Sequence, residues 1–145
     1  MNRFSLHCAV NLILLQGKKV LLLQRKQTGF SDGLFGVAGG HVEGKEPAKS
    51  ALIREVQEEI NIQLAPKQLD LVVSVHRKLE HSEYIDLFFT SDSWSGDLRN
   101  NEPHKHNCYA WYPINDLPRE TMPLVQDAIQ SYLKGINYFE MGWDF

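Results

Sequence analysis

From His7 to Leu15 the chain reads HCAVNLILL, a run of β-forming residues, and beyond Gln16-Gly17-Lys18 it resumes as VLLLQR from Val20 to Arg25. Two apolar runs joined by a short glycine turn predict a β-hairpin. A glycine-containing loop, Gln27 to Gly33, leads into the short segment Leu34 to Val37. Leu69 to Arg77 and Tyr84 to Thr90 read as two more strands, then a polar loop rich in turn residues spans Ser91 to Lys105, and Cys108 to Tyr112 reads as another short strand before Pro113. Helical signals occur twice. Pro47 suits a first helical position, and the segment to Ile60 places Leu52, Ile53, Val56 and Ile60 on one core-facing arc. Further on, Thr121 is the expected cap of a helix reaching Lys134, with Leu124, Val125, Ala128, Ile129, Tyr132 and Leu133 on its buried side and Gly135 ending it. The alternation of strand and helix patterns predicts a mixed sheet packed between helices, with no internal repeat and no low-complexity linker.

The first helix carries more than a core face. At about 100° per residue, Glu55, Glu58 and Glu59 fall on one arc beside the apolar one. On its own, a solvated acidic face is the ordinary explanation of such a cluster. Placing Glu55 and Glu59 four apart costs a few tenths of a kcal/mol in an isolated helix, and burial raises that cost. A hard divalent cation held by oxygen ligands is the simplest group to offset it. Just before the helix stand Gly39-Gly40, which permit a close backbone approach, and a further glycine, Gly44.

These residues form a pattern. Gly40, Glu46, Arg54, Glu55, Val56, Glu58, Glu59 and Ile62 match, in order and spacing, the Nudix box G-x5-E-x7-R-E-U-x-E-E-x-G-U, where U is a bulky aliphatic residue. The final glycine of the box is Asn61 here, and asparagine is the next-best residue for a left-handed helix end. Ala38 stands where the family usually has proline, a change that removes no ligand. The resemblance runs from the first hairpin through Trp143. It includes Thr28 to Glu46 and Trp94 to Pro118, which are similar to segments of bacterial MutT-type nucleoside triphosphate pyrophosphohydrolases.

What the resemblance implies is specific. The fold is a Nudix-type α/β/α sandwich with a mixed β-sheet, an α/β (α+β) class, forming a single Nudix hydrolase domain over residues 1–145. The reaction is hydrolysis of a nucleoside triphosphate, or of another nucleoside diphosphate linked to a group X, to nucleoside monophosphate and pyrophosphate. The cofactor is Mg2+, with Mn2+ as a substitute, held by Glu55, Glu58, Glu59, the Gly39 carbonyl and Glu102. Glu102 lies in Glu102-Pro103-His104-Lys105, which resembles a family E-P-x-K element. Glu55 is the leading general base, with Glu58 beside it in the catalytic set; Arg54 orients Glu55 or Glu58, and Glu46 braces the loop or joins the outer metal shell. Arg25, ending LLLQR, sits where relatives carry a phosphate- or substrate-contacting arginine, and Gly40 is the other substrate-side position.

Composition narrows the setting. A chain of 145 residues, 43% hydrophobic and 23% charged, buries one substantial core and is not of disordered composition. A net charge of -3 gives no general attraction to nucleic acid or anionic membrane, so the expected partner is a small nucleotide. Cys8 and Cys108 lack metal-type spacing and suit reduced thiols. No signal peptide or membrane-length stretch is apparent, so a cytoplasmic setting is expected. His41, His76, His81, His104 and His106 show no paired ligand spacing, so no zinc site is expected. Arg77, Lys78 and Lys105 are candidates for the phosphate entrance, although surface solvation explains each as well. Phe35, Phe88, Trp94 and Trp111 are better read as core than as base-stacking platforms. Alternatives left open are hydrolysis of a nucleotide sugar or dinucleotide polyphosphate, and a non-catalytic nucleotide-binding module.

Overall fold

Strand β1 spans His7–Gln16 and β2 Lys19–Arg25 in the computed structural model, which describes residues 2–26, 29 and 31–144. The two pair antiparallel through Leu15↔Val20 and Gln16↔Lys19, as the hairpin reading expected, with Gly17 at φ 60° in the turn. Gln27, Thr28 and Phe30 of the expected glycine loop lie outside the described residues. The chain continues with β3 (Phe35–Gly36), β4 (Ala38–His41), helix α1 (Ala48–Ile60), β5 (Asp70–Lys78), β6 (Glu83–Ser91), β7 (His106–Pro113), helix α2 (Pro123–Leu133) and β8 (Tyr138–Met141). Together these strands form a mixed eight-stranded sheet of order β3-β2-β1-β6-β5-β8, with β4 also on β1 and β7 also on β2.

The continuous apolar stretches of β1 and β2 follow from cover on both sheet faces. Leu12, Leu14, Leu21 and Leu23 join Ala51, Leu52, Val56 and Ile60 of α1 in one core. Their neighbours Ile13, Val20 and Leu22 point the other way, into a second core with Val73, Val75, Phe88 and the α2 residues Val125, Ala128 and Ile129. Phe35 and Phe88 are buried, and Trp94 stacks on Trp111 with ring centroids 6.0 Å apart against the α1 core, which is packing rather than a platform for a base. This is the α/β/α arrangement expected.

Three details differ from the reading of the sequence. Thr121 does not cap α2: its hydroxyl donates to the Pro118 carbonyl at 2.7 Å, and the helix begins two residues later with Pro123 at a first-turn position, where a missing N–H costs nothing. Leu133 is 49% exposed, because it is the last residue of that helix and lies beyond the sheet its partners cover. Residues Ala38–His41, for which no strand was expected, are a strand antiparallel to β1 with Gly39 opposite Asn11 and Gly40 opposite Val10. Strand β1 therefore changes partner along its length, from β4 at Ala9–Leu12 to β2 at Leu15–Gln16. The fork positions everything that follows. Among the described residues, no helix is long and apolar enough to cross a membrane.

Candidate active site

Helix α1 packs on β4 and β1, which brings its acidic arc against the double glycine. The Gly39 amide donates to Glu59 Oε1 at 2.8 Å. A Cβ on Gly40 would collide with the Glu55 carboxyl, and one on Gly39 would collide with the Val10 carbonyl oxygen. The two glycines thus serve different ends: Gly39 lets β4 close on β1, and Gly40 leaves room for a carboxylate.

Arg54 braces the segment before the helix. Its Nη2 donates to Glu46 Oε1 and its Nη1 to Glu55 Oε1, both at 2.9 Å, while Glu58 Oε1 stands farther off at 3.9 Å. Of the two glutamates it was expected to orient, it holds Glu55. Glu46 also accepts the Glu43 amide at 3.1 Å and so ties the loop to the helix. The Arg54 guanidinium holds the Glu46 carboxyl below the usual carboxylate range.

The acidic arc divides. Glu58 is exposed, Glu55 is largely covered, and Glu59 is buried. Burial raises Glu55 against the opposing pull of Arg54. Burial pushes Glu59 up to about 8, in spite of the Gly39 N–H, and the nearby Glu55 and Glu102 carboxylates add to the rise. Among the described residues Lys105 alone opposes the other acids around this buried carboxylate, and its pull is the smallest of the causes.

The loop after β6 supplies the other wall. Asn61 ends α1 in the left-handed conformation, φ 66° and ψ 18°, as expected of the residue that replaces the box glycine. Its side chain does more than the glycine would: Nδ2 donates to the Asp97 carbonyl at 2.9 Å, and Oδ1 accepts from Asn101 at 3.3 Å. Backbone bonds from Arg99 to Ile60 and from Asn101 to Glu59 fasten the loop to the end of α1. Glu102 is thereby brought to Glu59, with Lys105 Nζ at 3.4 Å from its carboxylate.

One residue of this wall was missed in the sequence. His106 opens β7, where the register against β2 shifts between Gln24 and Arg25. Asn107 has no partner there, so the alternation breaks and His106 turns inward while Asn107 and Cys108 stay exposed. Ligand atoms of Glu59, Glu102 and His106 all lie within 4.8 Å of one another, the one such group among the described residues. Burial pushes the His106 imidazole below its ordinary value and so favours its neutral form. The Glu102/His106 separation of four was its only signal in the sequence.

From this corner a cavity of about 630 Å³ runs between the sheet and α2. Arg25, Gly39, Gly40, Glu59 and His106 line its polar end, and Met122, Leu124 and Val125 its apolar wall. Arg77 also lines it, but as one half of a bidentate pair with buried Asp86, at 2.7 and 3.0 Å, so it is not a free phosphate ligand. Oxygen donors gathered around a buried carboxylate whose proton affinity is raised fit a hard divalent ion. Among the described residues Glu59, Glu102 and His106 are the group close enough to share such an ion; Glu55 lies near enough to Glu59 to raise its proton affinity, and Glu58 is exposed.

Comparison with known proteins bears on family and fold. The family model described as NUDIX domain matches residues 5–132. An ADP-ribose pyrophosphatase of Methanocaldococcus jannaschii is 31% identical over 119 residues, covering 81% of this chain and 69% of its own. An 8-oxo-dGTP diphosphatase of Proteus vulgaris is 30% identical over 98 residues, covering 68% of this chain and 86% of its own. The crystal structure of a MutT NUDIX hydrolase from Burkholderia pseudomallei superposes with a TM-score of 0.79 at 24% identity, over 88% of this chain and 98% of that one, and so shares the fold.

Proposed function

The chain belongs to the Nudix family of hydrolases, and from that premise we propose that it hydrolyses nucleoside triphosphates, or related nucleoside diphosphate derivatives, to nucleoside monophosphate and pyrophosphate with Mg2+. The observation that carries this reading is the continuity of one cavity, with Glu59 and the Gly39-Gly40 backbone at its polar end and the apolar flank of α2 at the other. A polyphosphate fits the first end and a nucleoside the second.

Glu55, Glu58, Glu59 and Glu102, with the Gly39 carbonyl, would hold the ion, for which Mn2+ can substitute. When bound, such an ion neutralises phosphate charge and lowers the pKa of a coordinated water. Glu55 acts as general base. Its partial burial raises its proton affinity, and Arg54 fixes its orientation from the side away from the substrate. Arg54 is a positioning residue, since its fork is spent on Glu46 and Glu55. Arg25 offsets phosphate charge from the cavity wall, and the bare Gly40 backbone admits the substrate close to Glu55. The substrate is a small molecule, and the setting is cytoplasmic.

A screen of nucleoside triphosphates with Mg2+, read by chromatography of the products, tests the proposal. Monophosphate with pyrophosphate is expected; diphosphate with inorganic phosphate overturns the reaction. The name of the archaeal relative favours a second reading, a nucleoside diphosphate joined to a sugar. Turnover of nucleotide sugars without triphosphate turnover would move the substrate there.

A further inference from the structure

His106 is 5% exposed, and its main chain is fully engaged: its N–H donates to the Glu102 carbonyl at 3.0 Å, and its carbonyl accepts from Asn100 Nδ2 at 2.9 Å. The ring is not. Nδ1 is buried without a hydrogen-bond partner, and Nε2 stands 3.7 Å from Glu59 Oε2, beyond hydrogen-bond range. An imidazole carries one N–H and one lone pair when neutral, and burying it with neither used costs on the order of 1–3 kcal/mol. A space-filling role would be met at lower cost by leucine or phenylalanine. The β7 bulge that turns this polar ring inward also places it beside the carboxylates of Glu59 and Glu102.

The spacing approaches that of the ligands of one ion. Ligands about 2.0–2.2 Å from a common divalent metal stand about 3–4 Å apart. The 3.7 Å between His106 Nε2 and Glu59 Oε2 lies in that range, and the Glu102 carboxylate closes the group within 4.8 Å. We infer that His106 is a nitrogen ligand to the metal position held by Glu59 and Glu102, so that this position is a mixed oxygen and nitrogen site preferring Mn2+ or a similar transition ion to Mg2+. Imidazole suits transition ions, whereas Mg2+ keeps to carboxylate, carbonyl and water. The inference rests on the metal-dependent reading above and specifies which ion that corner prefers.

Pulsed electron paramagnetic resonance of the full chain loaded with Mn2+ reads the bond directly. Expected is a 14N coupling of a metal-bound imidazole, changed to the 15N pattern when histidine is isotopically labelled and lost in His106→Gln. Calorimetric titration should show Mn2+ affinity falling at least tenfold in His106→Gln while Mg2+ affinity moves less than threefold, in line with the roughly 10–100-fold effects of disturbing a metal shell. No nitrogen coupling in the unaltered protein, a coupling that survives the substitution, or equal weakening of both ions would overturn the assignment. The coupling in the unaltered protein needs no variant to fold. It is also independent of turnover: coupling without triphosphate hydrolysis sinks the substrate reading alone, and hydrolysis without coupling sinks this one alone.

Discussion

At the scale of single residues, the two adjacent glycines make the sharpest contrast. A methyl group on Gly40 meets the far end of a flexible side chain, the Glu55 carboxylate, whereas one on Gly39 meets the β1 backbone. Gly40→Ala should therefore fold normally but displace Glu55, lowering kcat on the order of 100-fold, the scale of a 1 Å misplacement. Gly39→Ala should instead destabilise the fold by about 1–3 kcal/mol in denaturant unfolding. A reversed order of these effects would refute the division of labour between the glycines. Asn61 supports a second test. Its positive φ makes Asn61→Val costly, about 1–3 kcal/mol. Asn61→Gly keeps the turn but gives up the bonds to Asp97 and Asn101, about 1 kcal/mol apiece at most. The glycine variant should unfold at a denaturant concentration between wild type and valine, and its loop amides should exchange faster. Glu58 is exposed and, among the described residues, has Arg54 at 3.9 Å as its partner, so Glu58→Gln should leave stability unchanged and cut turnover by orders of magnitude; unchanged turnover would remove Glu58 from the proposed catalytic set.

Among the elements, α1 concentrates both the core and the charge. Its buried face is Ala51, Leu52, Val56 and Ile60, and the same burial takes in Glu59. In the metal-free protein Glu59 titrates at about 8 when folded, against an ordinary value of 4.5. The folded state thus binds the proton more tightly, so this group's contribution is fully present below pH 4.5 and is lost as pH rises through about 8. Chelated wild type should lose stability across that interval relative to Glu59→Gln, which has no such proton, and saturating metal should reverse the trend. Parallel curves for the two proteins would show that Glu59 does not titrate in this way. The helix was legible because its 3.6-residue period and the box spacing agree, although it starts at Ala48 and Pro47, expected as its first residue, is the extended residue before it. The β1–β2 hairpin and strands β5 and β6 were legible from their β-forming runs and bounding turns. Strand β4 was not, since Ala-Gly-Gly-His has no strand propensity and exists only because β1 offers it an edge. Strand β8 was missed although Tyr138 and Phe139 favour strand, because four residues are too few for an alternating pattern and its parallel partner β5 is distant in the chain. His106 was hidden by a bulge, which shifts the side on which a residue falls without any mark in the hydrophobic pattern.

The molecule as a whole determines what the carboxylates can act on. The fork at β1 opens a cavity between sheet and α2, and the loop fastened to the end of α1 closes its polar corner. Arg25 belongs to β2, Glu59 to α1 and His106 to β7, so three elements converge on one end while the apolar flank of α2 forms the other. On the proposed reading a triphosphate would lie with its nucleoside toward Met122 and Leu124 and its α and β phosphates toward the polar end at Gly39-Gly40 and Glu59. Hydrolysis should therefore cut the α–β bridge. Arg25→Ala should raise KM more than it lowers kcat, because its charge acts on bound phosphate rather than on the attacking water. Running the reaction in water enriched in 18O locates the attack: label in the monophosphate marks the α phosphorus, and label in pyrophosphate marks the β. Either result keeps the bridge assignment, whereas label in inorganic phosphate with nucleoside diphosphate as its co-product places the cut at the terminal bridge and refutes this orientation of the substrate.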